Sequence, residues 1–168
     1  PFQDKGSFEN FINSRLESKD PFFYTIFDRA QEKPVGVCSL MRIELNHRVV
    51  EIGNIAFSPV LQRTTAATEA FYLLARAVFE DLGYRRFEWK CDSLNARSRR
   101  AAARFGFTYE GQFRQHMIIK GRNRDTAWFS IIDSEWPALR KALEEWLDPL
   151  NFDEEGNQRR SLDSFRGL

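Results

Sequence analysis

The stretch from Glu51 to Asp92, EIGNIAFSPVLQRTTAATEAFYLLARAVFEDLGYRRFEWKCD, leaves a chain of this kind few ways to fold. It reads as strand, tight loop, amphipathic helix, glycine stop and strand. Ile52 and Ile55 sit among small residues in the first strand, which Pro59 closes. After the loop Ser58–Thr64, the residues Ala67, Ala70, Phe71, Leu74, Val78 and Leu82 recur at the spacing of a helix packed on a sheet, predicting a helix to Asp81 or Leu82. Gly83 stands where a helix C′ residue takes the left-handed conformation without a Cβ penalty. In the following strand, Arg86–Cys91, the residues Phe87, Trp89 and Cys91 alternate with charged ones. Two parallel strands joined this way need a right-handed crossover. The crossover aims the helix N-terminus, with its free amides and positive dipole end, at the mouth of the sheet, a site suited to phosphate.

The rest of the chain extends that unit into a larger sheet. Phe8–Leu16 has helical spacing (Phe8, Phe11, Ile12, Leu16) with Ser7 as N-cap. Phe22–Asp28 and Pro34–Glu44 are strands about a polar turn at Arg29–Lys33, and Asn46-His47 turns the chain into Val49–Phe57. These three strands form an antiparallel meander that feeds the crossover. A short helix, Asn95–Phe105, stops at Gly106, and two strands, Phe107–Lys120 and Arg122–Ile132, follow, with a bulge at Gly111. Ser134 caps a last helix to Leu147, with Pro137 in its first turn. From Asp148 periodicity is lost, and an extended surface tail is expected over 148–168.

Composition narrows the setting. A length of 168 residues suits one domain, expected over 1–147, and 16 Phe and 4 Trp supply a sizeable core. A net charge of +1 gives no global field toward nucleic acid or membrane. The two cysteines, Cys38 and Cys91, each inside a strand, form neither a disulfide framework nor a metal quartet, and suit a reducing cytoplasm. No apolar run reaches membrane-spanning length.

The pieces SPVLQRTTAATEA, GYRRFEWKCDSLN, SRRAAARFGF and EGQFRQ, in this order, resemble the GCN5-related N-acetyltransferases, most nearly the branch similar to ribosomal-protein N-terminal acetyltransferases. The likeness runs from Phe22 to Ile132. It implies a mixed α/β fold: a twisted, mostly antiparallel sheet, flanked by helices, whose central parallel strands splay at the cofactor. It implies transfer of acetyl from acetyl-coenzyme A, without a metal, to an amine-bearing acceptor, either a peptide N-terminus or a small molecule, by a monomer or homodimer. The family fold places a strand and helix ahead of the point where this chain opens, so upstream sequence is expected to be missing.

The resemblance also assigns residues. The coenzyme pyrophosphate is expected on the cradle Gln62, Arg63, Thr64, Thr65, Ala66 and Ala67, where Arg63 and Thr65 replace the family's usual glycines. Backbone amides, two hydroxyls and a phosphate-seeking guanidinium remain available there. The pantetheine arm is expected to pair with the strand Asn54–Phe57 as an added strand would, with Asn95 hydrogen-bonding it and Ser98 near the sulfur. Many relatives carry a Tyr later on this helix as the acid for the leaving thiolate. The matching position here is Ala102, which makes Ser98 the replacement candidate. The proton of the attacking amine needs an acceptor, for which Glu51 is the candidate.

Plainer readings stand beside these. Thr64 or Thr65 and Asn95 serve as ordinary helix caps, Glu51 as a surface carboxylate paired with a basic neighbour, and His116 as a packing residue. Arg97, Arg99, Arg100 and Arg104 on one short helix are a solvated face or reach the ribose 3′-phosphate. Two further functions remain open: a non-catalytic acyl-coenzyme A-binding module, and an Arg-mediated RNA-binding protein on the same fold.

Overall fold

The computed structural model describes residues 2–167. Pro1 and Leu168, the outermost residues of the expected domain and tail, lie outside the described residues. Helix α1 (Lys5–Leu16) is followed by the meander β1 (Phe22–Asp28), β2 (Lys33–Glu44) and β3 (Val49–Phe57). Then come α2 (Thr65–Arg76), β4 (Arg86–Asp92), α3 (Ala96–Arg104), β5 (Thr108–Ile119), β6 (Arg122–Ile132) and α4 (Trp136–Leu147). The six strands form one sheet in the order β1-β2-β3-β4-β6-β5, antiparallel throughout except for β3 beside β4. The fold is therefore the mixed α/β architecture anticipated above, with the crossover helix α2 joining its parallel pair.

One sheet face carries the core. Val50 and Ile52 of β3, Phe87 and Trp89 of β4, and Phe129 and Ile131 of β6 all point to the side covered by α2 and α4. Phe71 of α2 stacks on Phe105 at a centroid distance of 4.4 Å and tilts against Phe107, while Trp136 of α4 stacks on Phe79. Rings of this size bury most of the apolar area that holds helices to sheet.

Four local expectations are corrected. The first helix starts earlier than Phe8, and its N-cap is Asp4 rather than Ser7. Asp4 Oδ1 accepts from Ser7 N at 2.7 Å while Ser7 Oγ accepts from Asp4 N, so the serine is the reciprocal half of a capping box. After Arg76 the α2 helix widens into a π turn, Ala77–Asp81. The added residue per turn rotates Leu82 out of phase with Val78, leaving it 53% exposed. Ser134 does not cap α4; Glu135 occupies that position with no side-chain cap. Finally, the segment after Leu147 is folded rather than extended. It makes a 3₁₀ turn, Pro149–Asn151, and a short helix α5 (Leu162–Phe165) that sinks Leu162 into the core. Among the described residues, no helix is long and apolar enough to cross a membrane.

Candidate active site

The parallel pair is zipped for only part of its length. β3 and β4 pair from Val49↔Arg86 to Ile52↔Trp89, and beyond that fork β3 continues to Phe57 and β4 to Asp92 without pairing each other. A bulge in β3 drives the divergence. Its register against β2 passes from Ser39↔Gly53 to Val37↔Ala56, so an extra residue is inserted where Asn54 takes φ 50°. Asn54 Nδ2 donates to Ser39 Oγ at 3.0 Å, which fixes the bulge. The opened strands, the first turn of α2 and one side of α3 enclose an open cleft of about 1270 Å³.

The α2 end of the cleft has the features of an anion cradle. Arg63 stands at φ 65°, the left-handed conformation that glycine adopts freely. The glycine-type backbone thus persists without the glycine. Thr64 is the N-cap: its Oγ1 accepts from Ala67 N at 3.2 Å and donates to Leu61 O at 2.7 Å. Thr65 and Ala66 keep first-turn N–H groups with no intrahelical acceptor, the kind of donors that bind phosphate. Gln62 is already engaged, its Nε2 donating to Phe57 O at 2.8 Å. Phe57 lines the cleft and packs against the small cluster of Val35, Leu61 and Ala67. These donors fit a pyrophosphate, and Arg97, Arg100 and Arg104, spaced along one side of α3, line the same cleft. Arg104 Nη1 donates to Thr68 Oγ1 at 2.9 Å, tying α3 to the first turns of α2, and burial pushes its pKa down.

The α3 end brings Asn95 and Ser98 together. Asn95 Oδ1 accepts from Ser98 N at 3.0 Å, so the capping role is present, and both side chains face the cleft. Ser98 Oγ accepts from Trp89 Nε1 at 2.9 Å, so its one hydroxyl proton is what it can donate, here toward the neighbouring Cys91 sulfur. The Cys91 thiol lies beside it; burial raises that pKa against a lowering hydrogen bond from Ser98. Ala102 is fully buried.

Glu51 lies apart from these residues. It does not line the cleft, and it is not the surface carboxylate of the plainer reading, because its side chain is 6% exposed. Its Oε2 receives Arg42 Nη1 at 3.0 Å and Lys90 Nζ at 3.1 Å. Lys90 also contacts Glu88 Oε2 at 2.7 Å and lies 3.8 Å from the centroid of the Trp128 ring. This ion cluster, buried except for Arg42, straddles the fork, with Lys90 one residue past the last paired position and Glu51 one before it. It is Lys90 that reaches the cleft. The two histidines are elsewhere, His47 in the β2–β3 turn and His116 on β5, its Nδ1 2.9 Å from Thr126 Oγ1. Among the described residues, no group of three His, Cys, Asp or Glu side chains could hold a metal ion.

Three parts of the site escaped sequence reasoning. Lys90 alternates with core residues and so reads as a surface charge; the pair Glu88 and Lys90 at strand spacing was the available signal. Gly53-Asn54 in mid-strand hinted at the bulge. Nothing in the sequence marked Phe152 and 156–158, which the C-terminal segment contributes to the cleft wall.

Comparison with known proteins agrees with this geometry. A family model described as an acetyltransferase (GNAT) domain matches residues 2–108. The crystal structure of a GCN5-related N-acetyltransferase from Brucella melitensis is 51% identical over 100% of this chain and 76% of its own, with a TM-score of 0.96. A chain from Chromobacterium violaceum ATCC 12472, described as a GNAT-family acetyltransferase, is 43% identical over 82% of this chain and 69% of its own, with a TM-score of 0.76. A spermidine N-acetyltransferase variant from Vibrio cholerae shares the fold at 21% identity and a TM-score of 0.66, over 81% of this chain and 79% of its own. No curated protein gives a significant match. This chain belongs to the GCN5-related N-acetyltransferase (GNAT) family and is an enzyme of the N-acetyltransferase type.

Proposed function

We propose that the protein transfers acetyl from acetyl-coenzyme A to a primary amine within a ternary complex, the acceptor being a peptide N-terminus or a small amine. The carrying observation is the fork between β3 and β4, which opens beside the free amides of the α2 N-terminus. Acetyl-coenzyme A supplies the thioester. Arg63, Thr65 and Ala66 hold its pyrophosphate, and the exposed backbone of β3 from Asn54 to Phe57 pairs with its pantetheine arm. Asn95 anchors that arm through Nδ2, since its Oδ1 is committed to the cap.

In the transfer the amine nitrogen bonds to the carbonyl carbon, the C–S bond breaks, the nitrogen gives up a proton and the sulfur gains one. Ser98 is our donor to the sulfur: Trp89 fixes its oxygen as an acceptor, and Ala102 offers no acid. Glu51 is our proton acceptor, reached through water rather than by direct contact with the cleft. The likeness to ribosomal-protein N-terminal acetyltransferases favours peptide α-amines. We place the activity in the cytoplasm, where Cys38 and Cys91 would stay the free buried thiols they are here.

Titration calorimetry with acetyl-coenzyme A and coenzyme A tests the cradle, with micromolar binding expected. A folded sample that binds neither overturns the proposal. Ser98→Ala is expected to lower kcat while leaving coenzyme affinity within about twofold; an unchanged kcat removes Ser98 from the chemistry.

A further inference from the structure

The cleft is unevenly charged. Six cationic side chains line it, Arg63, Lys90, Arg97, Arg100, Arg104 and Arg124, against one carboxylate, Asp92. Four of the six belong to the α2 and α3 ends, where the coenzyme phosphates are placed above. Lys90 and Arg124 come from the sheet instead, and they differ. Lys90 is neutralised between Glu51 and Glu88. Arg124 is half-buried, and its Nε is buried with no hydrogen-bond partner among the described residues. The adjacent carboxylate is committed, because Asp125 accepts from Gln112 Nε2, Gln115 N and Asn123 Nδ2.

A second donor in the same condition lies nearby. Trp128 is four residues on, hence on the same face of β6, and its Nε1 is also buried without a partner among the described residues. The Trp128 ring carries the Lys90 ammonium. Arg124 Nε, Trp128 Nε1 and Lys90 Nζ can only donate. Native interiors rarely strand such groups, so an unpartnered Arg124 donor on the cleft wall, with unpartnered Trp128 beside it on the same strand face, points to an acceptor-rich ligand. The sheet order β3-β4-β6 sets Arg124 across β4 from the strand that leads into the cradle, away from the pyrophosphate.

We propose that Arg124 receives an oxyanion of the acceptor, so that the protein acetylates a primary amine bearing a carboxylate or phosphate and not a polyamine. This deepens the acetyltransferase reading and rests on it. A guanidinium matches either oxyanion with two parallel hydrogen bonds. A polycation would meet the Arg124 guanidinium with Asp92 as the single acid of the lining.

The experiment has two arms on the full chain. Calorimetry compares acetyl-coenzyme A binding by the wild type and Arg124→Gln, with affinities expected within about twofold. A loss of about tenfold or more overturns the proposal by assigning Arg124 to the coenzyme. Initial rates are then taken on matched acceptors: an α-amino acid against its amide, phosphoethanolamine against ethanolamine, and spermidine alone. The anionic member is expected to have a kcat/KM at least about tenfold higher, because a site built to bind a group rejects the analogue lacking it. Arg124→Gln is expected to erase that preference through KM, and Arg124→Lys to restore part of it. Equal rates within both pairs, turnover of neither anionic amine, preference for spermidine, or a preference that survives Arg124→Gln each overturn the proposal. A wild type that binds no coenzyme fails earlier and overturns the parent reading.

Discussion

Arg86 and Glu110 show how far a single charged pair on this sheet sets the pH range of the fold. Arg86 Nη1 donates to Glu110 Oε1 at 2.8 Å, Nη2 donates to Oε2, and Ser130 Oγ donates to Oε1 at 2.7 Å. The guanidinium, foremost, holds the Glu110 carboxyl down at about 2, against an ordinary value of 4.5. A carboxylate depressed in the folded state stabilises fully above its unfolded pKa and loses that contribution as pH falls through the folded one. Stability is therefore expected to fall from pH 4.5 to about 2 through this group, and Glu110→Gln to flatten that part of the curve. The side chain is 39% exposed, so screening holds the effect to about 1 kcal/mol. Urea denaturation of both proteins at stepped pH checks it: the curves should separate near neutrality and converge toward pH 2, and parallel curves would refute the assignment.

Gly106 governs how three elements meet. It ends α3 at φ 94°, and a Cβ there would lie 2.7 Å and 2.8 Å from the two δ-carbons of Leu139 on α4. Gly106→Ala should therefore cost about 2–4 kcal/mol, from left-handed strain together with overpacking. Chemical denaturation reads that loss directly, and a cost under about 0.5 kcal/mol would mean that α4 gives way freely. Gly106 and Gly83 were both legible in the sequence, because a glycine after a helical run has one common reason to be there. The strand Phe22–Asp28 was legible to the residue, its apolar run ending at the Asp28 turn. The π turn was not, since Val78 and Leu82 keep α-helical spacing in the sequence while an added backbone residue separates their directions. Nor was the conformation of Arg63: the sequence reports a missing glycine, but not that the arginine accepts the glycine's φ. The cap of α1 was misplaced for a related reason, because Asp4 and Ser7 carry the same capping chemistry and only the backbone tells donor from acceptor.

The least legible feature belongs to the whole molecule, because a segment without periodicity gives no sign of what it touches. Asn151 is buried; its Nδ2 donates to Trp146 O and Arg160 O, and its Oδ1 accepts from Arg160 N. Leu162 is 3% exposed within the main core, and Arg166 Nη1 donates to Ala103 O at 3.0 Å, bonding the last residues to α3. Between these anchors, Phe152 and 156–158 form part of the cleft wall. The core contact and the cleft wall are thus one continuous piece of chain, so its attachment and coenzyme binding should be linked. Leu162→Ala removes the anchor without touching the cleft. It should cost about 2–4 kcal/mol, as buried Leu truncations do. If the wall detaches before the rest unfolds, coenzyme affinity should fall as well, since binding then has to reorder the segment. Denaturation with and without acetyl-coenzyme A separates the two effects. A variant that loses stability yet gains as much from the coenzyme as the wild type would show that residues 148–167 brace the core and take no part in the site.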